Sequence, residues 1–468
     1  MNKQDAYQLP NAFVERIYRQ FGCQAKFFLD SLEQSTATSL RINPRKIKIG
    51  STGLRMVPWC STGFFLDERP IFTLDPLLHA GAYYVQESSS MFLEQVFRAT
   101  MSDGPRLILD LCGAPGGKST HLLTLMNDDD MLISNEVIQP RAKILQENIR
   151  KWGPHNVVIC NNDPKDFKQL TGFFDLILID APCSGEGLFR RDAAARNEWS
   201  PNHAGLCSVR QRRILADIWT SLKAGGYMIY STCTFNPEEN EENLKWLQTR
   251  AKFESIRINL APEWNIEEIE HDGVFAYRFW PHKVSGEGFF ITLLRKTEEQ
   301  SSFRFPKKMK TITNKIPADM SYLKKWVSPG DFDFLVQRDM AVVSPSRWRN
   351  EIGVLRNLVK VTDYGLPIAE LKGKDITPHH FLALSSLLQK NEFETIGLDL
   401  EEALTFLRKE EIKPISDIKG WQLVCFRDIP LGFLKNIGPR TNNYFPKEWR
   451  IRMQNNKAEK LWHEEINL

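Results

Sequence analysis

Short apolar runs alternate with longer segments of helical spacing between residues 105 and 296. The apolar runs predict buried strands at 107–111, 131–135, 156–160, 175–180 and 226–231. The segments between them predict helices at 118–127, 140–152 and 203–222. This alternation favours an α/β fold, in which helices cover both faces of a parallel sheet. Two further runs, 276–280 and 288–294, predict a hairpin that closes the sheet.

The segments on either side of this core follow other patterns. Residues 10–100 mix predicted helices with short strands, as in an α+β domain. A polar linker at 297–302 precedes a tail with many basic and aromatic residues. We expect this tail to stand apart from the core sheet. Four parts are therefore predicted: an N-terminal domain at 1–100, the core at 101–296, a linker and intermediate domain at 297–390, and a C-terminal domain at 391–468.

The composition narrows the class of protein. The 468 residues suffice for about two to four domains, and 42% apolar with 25% charged residues is ordinary for a soluble globular protein. The eight cysteines form no C-x-x-C pair, so we predict neither a disulfide framework nor a metal site. Residues 1–5 lack the apolar character of a signal peptide, and no run of 18 apolar residues occurs. We expect a cytoplasmic monomer without a membrane partner.

A glycine-rich turn follows the first strand of the core. Asp110 ends this strand, and Gly113, Gly116 and Gly117 allow the backbone to turn tightly and to approach a ligand closely. The glycine spacing matches neither common phosphate-binding pattern, G-x-x-x-x-G-K-[ST] or G-x-G-x-x-G. An uncharged adenosine joined to a cationic sulfonium fits better, so the turn predicts a site for S-adenosylmethionine. A purely structural turn is the alternative.

Two carboxylates follow the next two strands. Glu136 closes the second strand, where it could accept hydrogen bonds from both ribose hydroxyls of the cofactor. Asp163 follows the third strand, where it could meet the adenine amino group. Ligands of open α/β sheets gather at the carboxyl ends of the strands, which favours both assignments. Helix capping explains either residue equally well.

Two cysteines follow later strands of the same sheet. Cys183 lies in D-A-P-C-S-G and Cys233 in S-T-C-T. A thiolate can attack carbon 6 of a pyrimidine, after which carbon 5 takes the methyl group, a base removes the carbon 5 proton and the thiolate leaves. Asp180 could hydrogen-bond or protonate ring nitrogen 3 and so make carbon 6 more electrophilic. A buried cysteine is more often a small apolar residue, and the residues do not decide which thiol attacks.

These motifs resemble those of the NOP/Sun family of RNA cytosine-5 methyltransferases. The resemblance covers about residues 35–296 and rests on the glycine turn, the two cysteine motifs, the lead-in at 84–90 and the closing hairpin at 281–290. It implies a Rossmann-like class I methyltransferase core. The tail, at 431–432 and 443–447, is similar to the PUA-like end of the bacterial family members that act on 16S rRNA. RNA, in the form of 16S rRNA or the small ribosomal subunit, is the partner that this implies.

The resemblance also implies roles for single residues. Cys233 corresponds to the nucleophile of the RNA enzymes, and Cys183 to the cysteine that helps to release the product. The residues implied to surround S-adenosylmethionine are Cys112, Gly113, Ala114, Pro115, Gly116, Gly117, Lys118, Glu136, Asp163 and Asp180. The family usually has alanine at the position of Gly113, and we expect that difference not to disturb the turn.

Two other functions remain open at this point: the same chemistry on tRNA, and an assembly factor that binds RNA without catalysis. The intact cysteine motifs speak against the second. The net charge is only +3, so basic surfaces that contact RNA must be local. Candidate clusters are Arg190, Arg191 and Arg196 after Cys183, and Arg440, Lys447, Arg450 and Arg452 near the end. A solvated face is the alternative for each. His379 and His380 are predicted to lie at the surface.

Overall fold

The computed structural model describes residues 8–48, 53–306, 315–372, 375–454 and 461–464. The N-terminal residues 1–5 therefore lie outside the described ranges. Among the described residues, none of the helices has both the length and the apolar character that a membrane crossing requires.

The core is a mixed sheet with helices on both faces. Across the sheet, the described strands follow in the order Glu267–His271, Val274–Phe279, Phe289–Lys296, Leu222–Thr232, Phe174–Asp180, Leu107–Asp110, Met131–Asn135, Val157–Cys160 and Val361–Tyr364. The five strands from Leu222–Thr232 to Val157–Cys160 are parallel to one another, and the others add in antiparallel fashion. Phe253–Ser255 also pairs with Phe289–Lys296. The predicted parallel sheet and the closing hairpin are confirmed.

The three predicted helices of the core are confirmed, at Gly117–Leu125, Gln139–Trp152 and Pro201–Ile218. Two further helices, Ala193–Glu198 and Glu241–Gln248, were not predicted. Local signals account for two of the ends. The Ser200 side chain accepts a hydrogen bond from the His203 N–H and so caps the start of Pro201–Ile218. Gly153, with φ of 87°, ends Gln139–Trp152 in the left-handed conformation that glycine adopts readily.

Both faces of the central strands are buried. In the strand Leu107–Asp110, Leu107 and Leu109 pack into one apolar layer and Ile108 packs into the other. Successive side chains of a strand point to opposite faces, so a strand with both faces covered is apolar throughout. This explains why continuous apolar runs, rather than alternating ones, mark these strands in the sequence.

The N-terminal part is an α+β domain, as predicted. Its helices are Asn11–Phe21, Ala25–Leu32, Pro76–His79 and Leu93–Arg98, and its antiparallel sheet contains Gly63–Leu66, Thr38–Ile42 and Tyr83–Val85 in that order. Buried Arg41 joins this domain to the core, because its guanidinium donates hydrogen bonds to the side chains of Gln86, Thr120 and Thr124. The domain is thereby held against the helix that follows the glycine turn.

The tail does not stand apart from the core sheet, which corrects the expectation from the sequence. Val361–Tyr364 pairs with the edge strand Val157–Cys160, and Trp348, Ile352 and Leu355 pack into the core beneath it. An edge strand carries unpaired backbone groups, and Val361–Tyr364 satisfies them. The other elements of this region are the strands Phe332–Gln337, Met340–Pro345, Leu366–Lys372 and Asp375–Pro378, which form a separate sheet, and the helix Arg349–Leu358.

The last part packs on the N-terminal domain. Its sheet contains Glu394–Leu398, Gly420–Phe426, Ile429–Asn436 and Thr441–Asn443, and its helices are His380–Leu384 and Leu400–Leu407. Phe406 and Leu431 share one apolar cluster with Leu40 of the N-terminal domain. The surface prediction is wrong for His380, which is only 7% exposed and lies between the rings of Phe445 and Trp449.

Candidate active site

The predicted functional motifs meet at the point where the strand order reverses. Leu107–Asp110 and Phe174–Asp180 are neighbours in the sheet, although the chain visits two strands on the far side between them. A crevice forms at such a reversal outside the carboxyl ends of the strands, and ligands of open α/β sheets bind there. The glycine turn leaves one strand, the Cys183 loop leaves the other, and Leu222–Thr232 ends beside them.

A cleft of about 240 Å³ occupies this crevice. The predicted residues that line it are Cys112, Gly113, Ala114, Pro115, Gly117, Lys118, Asp180 and Cys233. The opposite wall comes from the N-terminal domain and the closing hairpin, through residues that sequence reasoning missed: Tyr84, Gln86, Glu87, Glu287 and Phe289. Four predicted residues are not on the lining of the cleft: Gly116, Glu136, Asp163 and Cys183.

The two thiols are in direct contact. The Sγ atoms of Cys183 and Cys233 are 3.1 Å apart. Their strands run parallel with Asp180 opposite Ser231, so the loops that follow these residues lie side by side. The hydrogen bond with Cys233, together with burial, raises the pKa of Cys183 well above its usual value. Cys183 is therefore a protonated thiol that can donate to Cys233.

A buried carboxylate holds both cysteine loops in place. Glu239 accepts hydrogen bonds from the backbone N–H of Ser184 at 2.9 Å, from its hydroxyl at 2.5 Å, and from the Gln211 amide at 2.9 Å. The Ser184 hydroxyl also contacts that of Thr234, beside Cys233. Burial raises the pKa of Glu239. Sequence reasoning missed this support, although Glu239 lies in the N-P-E-E-N stretch after Cys233.

A lysine and an aspartate form an ion pair on the lining of the cleft. Lys118 Nζ is 2.8 Å from Asp180 Oδ2, and the Ser231 hydroxyl donates to Asp180 Oδ1 at 2.9 Å. Burial, the largest single effect, would lower the pKa of Lys118, but the charge and hydrogen bond of Asp180, together with smaller contributions such as that of Asp110, outweigh burial and raise the pKa. Lys118 is thus a cation, and these contacts fix the position of the Asp180 carboxylate beside Cys233.

The charges around the glycine turn fit S-adenosylmethionine. Burial, followed by the charges of Asp110, Glu136 and Asp180, raises the pKa of Cys112 well above its usual value. Three carboxylates and the opposing Arg141 guanidinium thus act on the turn, and the carboxylates are groups that suit a cationic sulfonium or ammonium group. The backbone N–H of Gly113 donates to the carbonyl of Asn135, which fixes the turn beside the next strand.

The turn forms with glycine at position 113, and alanine would not fit there without a shift of its neighbours. A Cβ atom on Gly113 would lie 2.5 Å from Ser134 Oγ and 2.8 Å from Ser119 Oγ. These hydroxyls contact each other at 2.8 Å, and Ser119 also donates to Asp110 at 2.6 Å, so neither moves freely. In this chain the two serines and the glycine form one packed unit.

Gly113→Ala should lower the free energy of unfolding by about 1–3 kcal/mol, because the added methyl group overfills this site. Ser134→Ala in the same background should recover part of the loss, since it removes the atom at 2.5 Å. Urea denaturation measures both effects. Gly205→Ala is the matched control, because a Cβ at this helical glycine meets nothing within 4 Å. Equal stability of Gly113→Ala and the wild type would contradict the packing argument.

Asp110 should make stability depend on pH. Burial raises its pKa in the folded chain to about 7, whereas an unfolded aspartate has a pKa of about 4. The folded chain therefore binds the extra proton between these values, so the free energy of unfolding falls as pH rises towards 7 and levels off above it. Denaturation midpoints across this range should fall more steeply in the wild type than in Asp110→Asn, which keeps only the contribution of other groups such as Glu287, whose pKa burial also raises to about 7. Parallel curves for the two proteins would exclude Asp110 as the cause.

The two strand-end carboxylates differ in their contacts. Buried Glu136 accepts a hydrogen bond from the Ile138 N–H, and Arg141 lies 3.8 Å from it while donating to the carbonyl of Ala114 in the glycine turn. Asp163 caps the short helix Pro164–Gln169 and pairs with Arg213 at 3.1 Å. Capping thus accounts for the contacts of Asp163. The cofactor roles of both residues stay predictions.

Glu136→Ala should weaken S-adenosylmethionine binding by about 1–3 kcal/mol if its carboxylate accepts the ribose hydroxyls, because the partners would lose their acceptor. Calorimetry with the cofactor measures this. Glu136→Gln keeps an acceptor oxygen and should lose less. An unchanged affinity in Glu136→Ala would leave Glu136 as the acceptor for the Ile138 N–H alone.

A second group of polar residues with metal-binding side chains is buried outside the cleft. His121 Nε2 lies 3.8 Å from both Cys60 Sγ and Glu94 Oε2. Glu94 already accepts hydrogen bonds from the Ser61 N–H and from the Arg98 guanidinium, which balances its charge without a metal ion. We therefore assign this group a structural role between the N-terminal domain and the core.

The open α/β sheet and the cleft at its strand reversal define an S-adenosylmethionine-dependent methyltransferase. Three family descriptions match the chain in order: the N-terminal domain of 16S rRNA methyltransferase RsmF at residues 9–88, 16S rRNA methyltransferase RsmB/F at 100–295, and the RsmF PUA domain at 393–451. The chain belongs to the RsmB/F family of RNA methyltransferases, and it has the RsmF arrangement of domains. The Rossmann-like core with a C-terminal PUA domain is thereby confirmed.

Individual relatives agree with this assignment. The chain is 30% identical to a ribosomal RNA small subunit methyltransferase F from Escherichia coli, over 95% of this chain and 97% of the relative. Its counterpart from Cronobacter sakazakii is 31% identical over 94% and 96%. The solved structure of a methyltransferase homolog protein from Pyrococcus horikoshii is 26% identical, with a TM-score of 0.53, and the match covers 63% of this chain and 98% of that one.

Proposed function

We propose that this RNA methyltransferase methylates carbon 5 of a cytosine in 16S rRNA through a covalent bond from Cys233 to carbon 6. The observation that carries the proposal is the contact between the Cys183 and Cys233 thiols beside the fixed carboxylate of Asp180. An aspartate with two cysteines suits addition to a pyrimidine ring, whereas methylation of an amine needs no thiol nucleophile. The names of the relatives support 16S rRNA over tRNA.

The position of the two thiols supports Cys233 as the nucleophile. Cys233 is on the lining of the cleft, and Cys183 is not. Lys118 and Cys233 share the lining of the cleft and interact electrostatically, so the Lys118 ammonium is placed to stabilise a thiolate there. The thiolate electron pair forms the bond to carbon 6, and electron density moves to carbon 5. S-adenosylmethionine, when bound, supplies the methyl group.

Asp180 and Cys183 serve the steps before and after methyl transfer. Asp180, held by Lys118 and Ser231, is the candidate to accept a hydrogen bond from ring nitrogen 3 in its protonated form. The carboxylate thereby stabilises the protonated ring, which is more open to attack on carbon 6. For release, a base takes the carbon 5 proton, the ring double bond re-forms and the carbon–sulfur bond breaks. Cys183, protonated and 3.1 Å away, can donate to the departing sulfur of Cys233 and make it a better leaving group.

The basic residues near the cleft fall into two groups: those bonded within the protein and one that is half exposed at the cleft. Arg190 and Arg196 donate to backbone carbonyls, such as those of Gly286 and Leu32, and Arg196 also pairs with Glu33, so both hold the structure together. Arg191 is half exposed at the cleft, 3.4 Å from Glu287, and is the candidate from this cluster to meet RNA phosphate. The reducing cytoplasm, where we expect the monomer to act, would keep both thiols free.

Bisulfite sequencing of RNA from a strain that lacks the gene tests this function. A cytosine of 16S rRNA that resists conversion in the parent strain should become convertible in the deletion strain. The resistance should return with the wild-type gene. Loss of resistance confined to tRNA would favour the tRNA alternative, and no change in either RNA would contradict the proposed chemistry.

A further inference from the structure

A second cleft, of about 300 Å³, lies next to the active site. Among its lining residues are Arg69, Phe72, Tyr84, Asn148, Lys151 and Trp152. Tyr84 and Val85 also line the active-site cleft, so one strand separates the two spaces. We propose that this second cleft binds the RNA nucleotide next to the target cytosine, with its phosphate at Arg69. The inference rests on the proposed function, because it takes the methylated RNA as its ligand.

The charges of the cleft suit a phosphate. Arg69 is exposed, and no carboxylate of the described chain lies within ion-pair distance of it. Its guanidinium lies 5.5 Å from the centre of the Phe72 ring, which orients the side chain along the wall. Arg69 lines the second cleft, which shares Tyr84 and Val85 with the active-site cleft. A guanidinium on this lining can bind the phosphate that links two neighbouring nucleotides.

The remaining wall suits a nucleobase. Half-buried Phe72 and Tyr84 border this space, and the buried ring of Tyr83 supports that of Phe72, with the ring centres 6.1 Å apart. A base that enters an active site leaves its stack, so its neighbour needs a new apolar contact. Aromatic side chains provide that contact for single-stranded RNA without selecting a particular base. The amide of Asn148, at the mouth, donates to the carbonyl of Pro115 in the glycine turn.

The cleft also connects the active site with the C-terminal part of the chain. Lys151, on its lining, places Nζ 5.1 Å from the centre of the Trp449 ring. Trp449 belongs to the basic and aromatic ending that the sequence marked as an RNA contact. A strand of RNA that leaves the active site through the second cleft would therefore reach this ending next.

Two charge variants test the site with unmodified 16S rRNA transcribed in vitro. Arg69→Ala should raise the KM for the rRNA about tenfold, as expected when one charge-assisted contact is lost. Arg69→Glu should raise it further. The slope of log affinity against log salt should become shallower by about 0.7 in filter binding, which is the effect of one single-stranded phosphate. Calorimetry should find wild-type affinity for S-adenosylmethionine.

Arg55→Ala is the matched control. Arg55 is likewise exposed in the N-terminal domain and lies over a phenylalanine ring, that of Phe65, but it is not on the lining of either cleft. A photoreactive benzoylphenylalanine in place of Phe72 adds a positional readout. It should crosslink to the nucleotide directly next to the methylated cytosine.

Two outcomes would overturn the subsite: a wild-type KM and salt slope in Arg69→Glu, or a crosslink that maps away from the methylated position. These outcomes can be distinguished from a failure of the proposed function, in which the wild-type enzyme itself would leave the 16S rRNA unmethylated. The binding comparison of the Arg69 and Arg55 variants would still report on the cleft in that case, since binding needs no turnover.

Discussion

Cys233→Ala should reduce methyl transfer to RNA by at least about a thousandfold, because the variant lacks the proposed nucleophile. Among the described residues, the other thiol on the cleft lining is Cys112. Burial and nearby carboxylates raise the pKa of Cys112 well above its usual value, so it is a poor replacement. S-adenosylmethionine binding should remain close to that of the wild type, since the thiol acts only once the pyrimidine is present. A single-turnover assay with radiolabelled cofactor measures the rate, and calorimetry measures the binding.

Cys23→Ala is a suitable control for this experiment, because Cys23 is exposed and far from the motifs of the cleft in the sequence. It should behave as the wild type in both assays. Methyl transfer at a near-normal rate by Cys233→Ala would show that the assignment of the nucleophile is wrong.

Cys183→Ala should stop the enzyme after one turnover and leave it bonded to its RNA. The variant keeps the Cys233 nucleophile but loses the protonated thiol that lies 3.1 Å from it, so attack can proceed while release is slowed. The adduct should survive a denaturing gel as a band of protein joined to RNA. It should be absent from the double variant Cys183→Ala/Cys233→Ala. An adduct that persists without Cys233 would reverse the roles of the two cysteines.

Much of the core could be predicted because the sequence patterns that mark its strands and turns lie within short stretches of the chain. A strand buried on both faces is an uninterrupted apolar run, and a glycine turn between a strand and a helix is visible in a few residues. The meeting of Cys183 and Cys233 also follows from the sequence, once their strands are taken as parallel neighbours that end at the same edge. The sequence-based prediction that Cys233 is the attacking thiol came from the family resemblance, because the two loops are chemically alike.

Other features depend on contacts between distant parts of the chain. The clash that excludes alanine at Gly113 comes from Ser134, a residue of the neighbouring strand. The support of the cysteine loops by Glu239 requires Gln211 from a helix and Ser184 from another loop. The strand Val361–Tyr364 is short and partly polar, so its sequence does not reveal that it completes the core sheet. None of these pairings leaves a periodic pattern in the sequence.

The strand Val361–Tyr364 determines how late in translation the core sheet can be completed. Val361 pairs with Cys160, about 200 positions earlier in the chain. A ribosome that adds roughly 5–20 residues per second needs about 10–40 s for that stretch. During this interval the growing polypeptide presents an open strand edge, to which other chains can add. The sheet that carries both cysteines therefore becomes complete only late in translation.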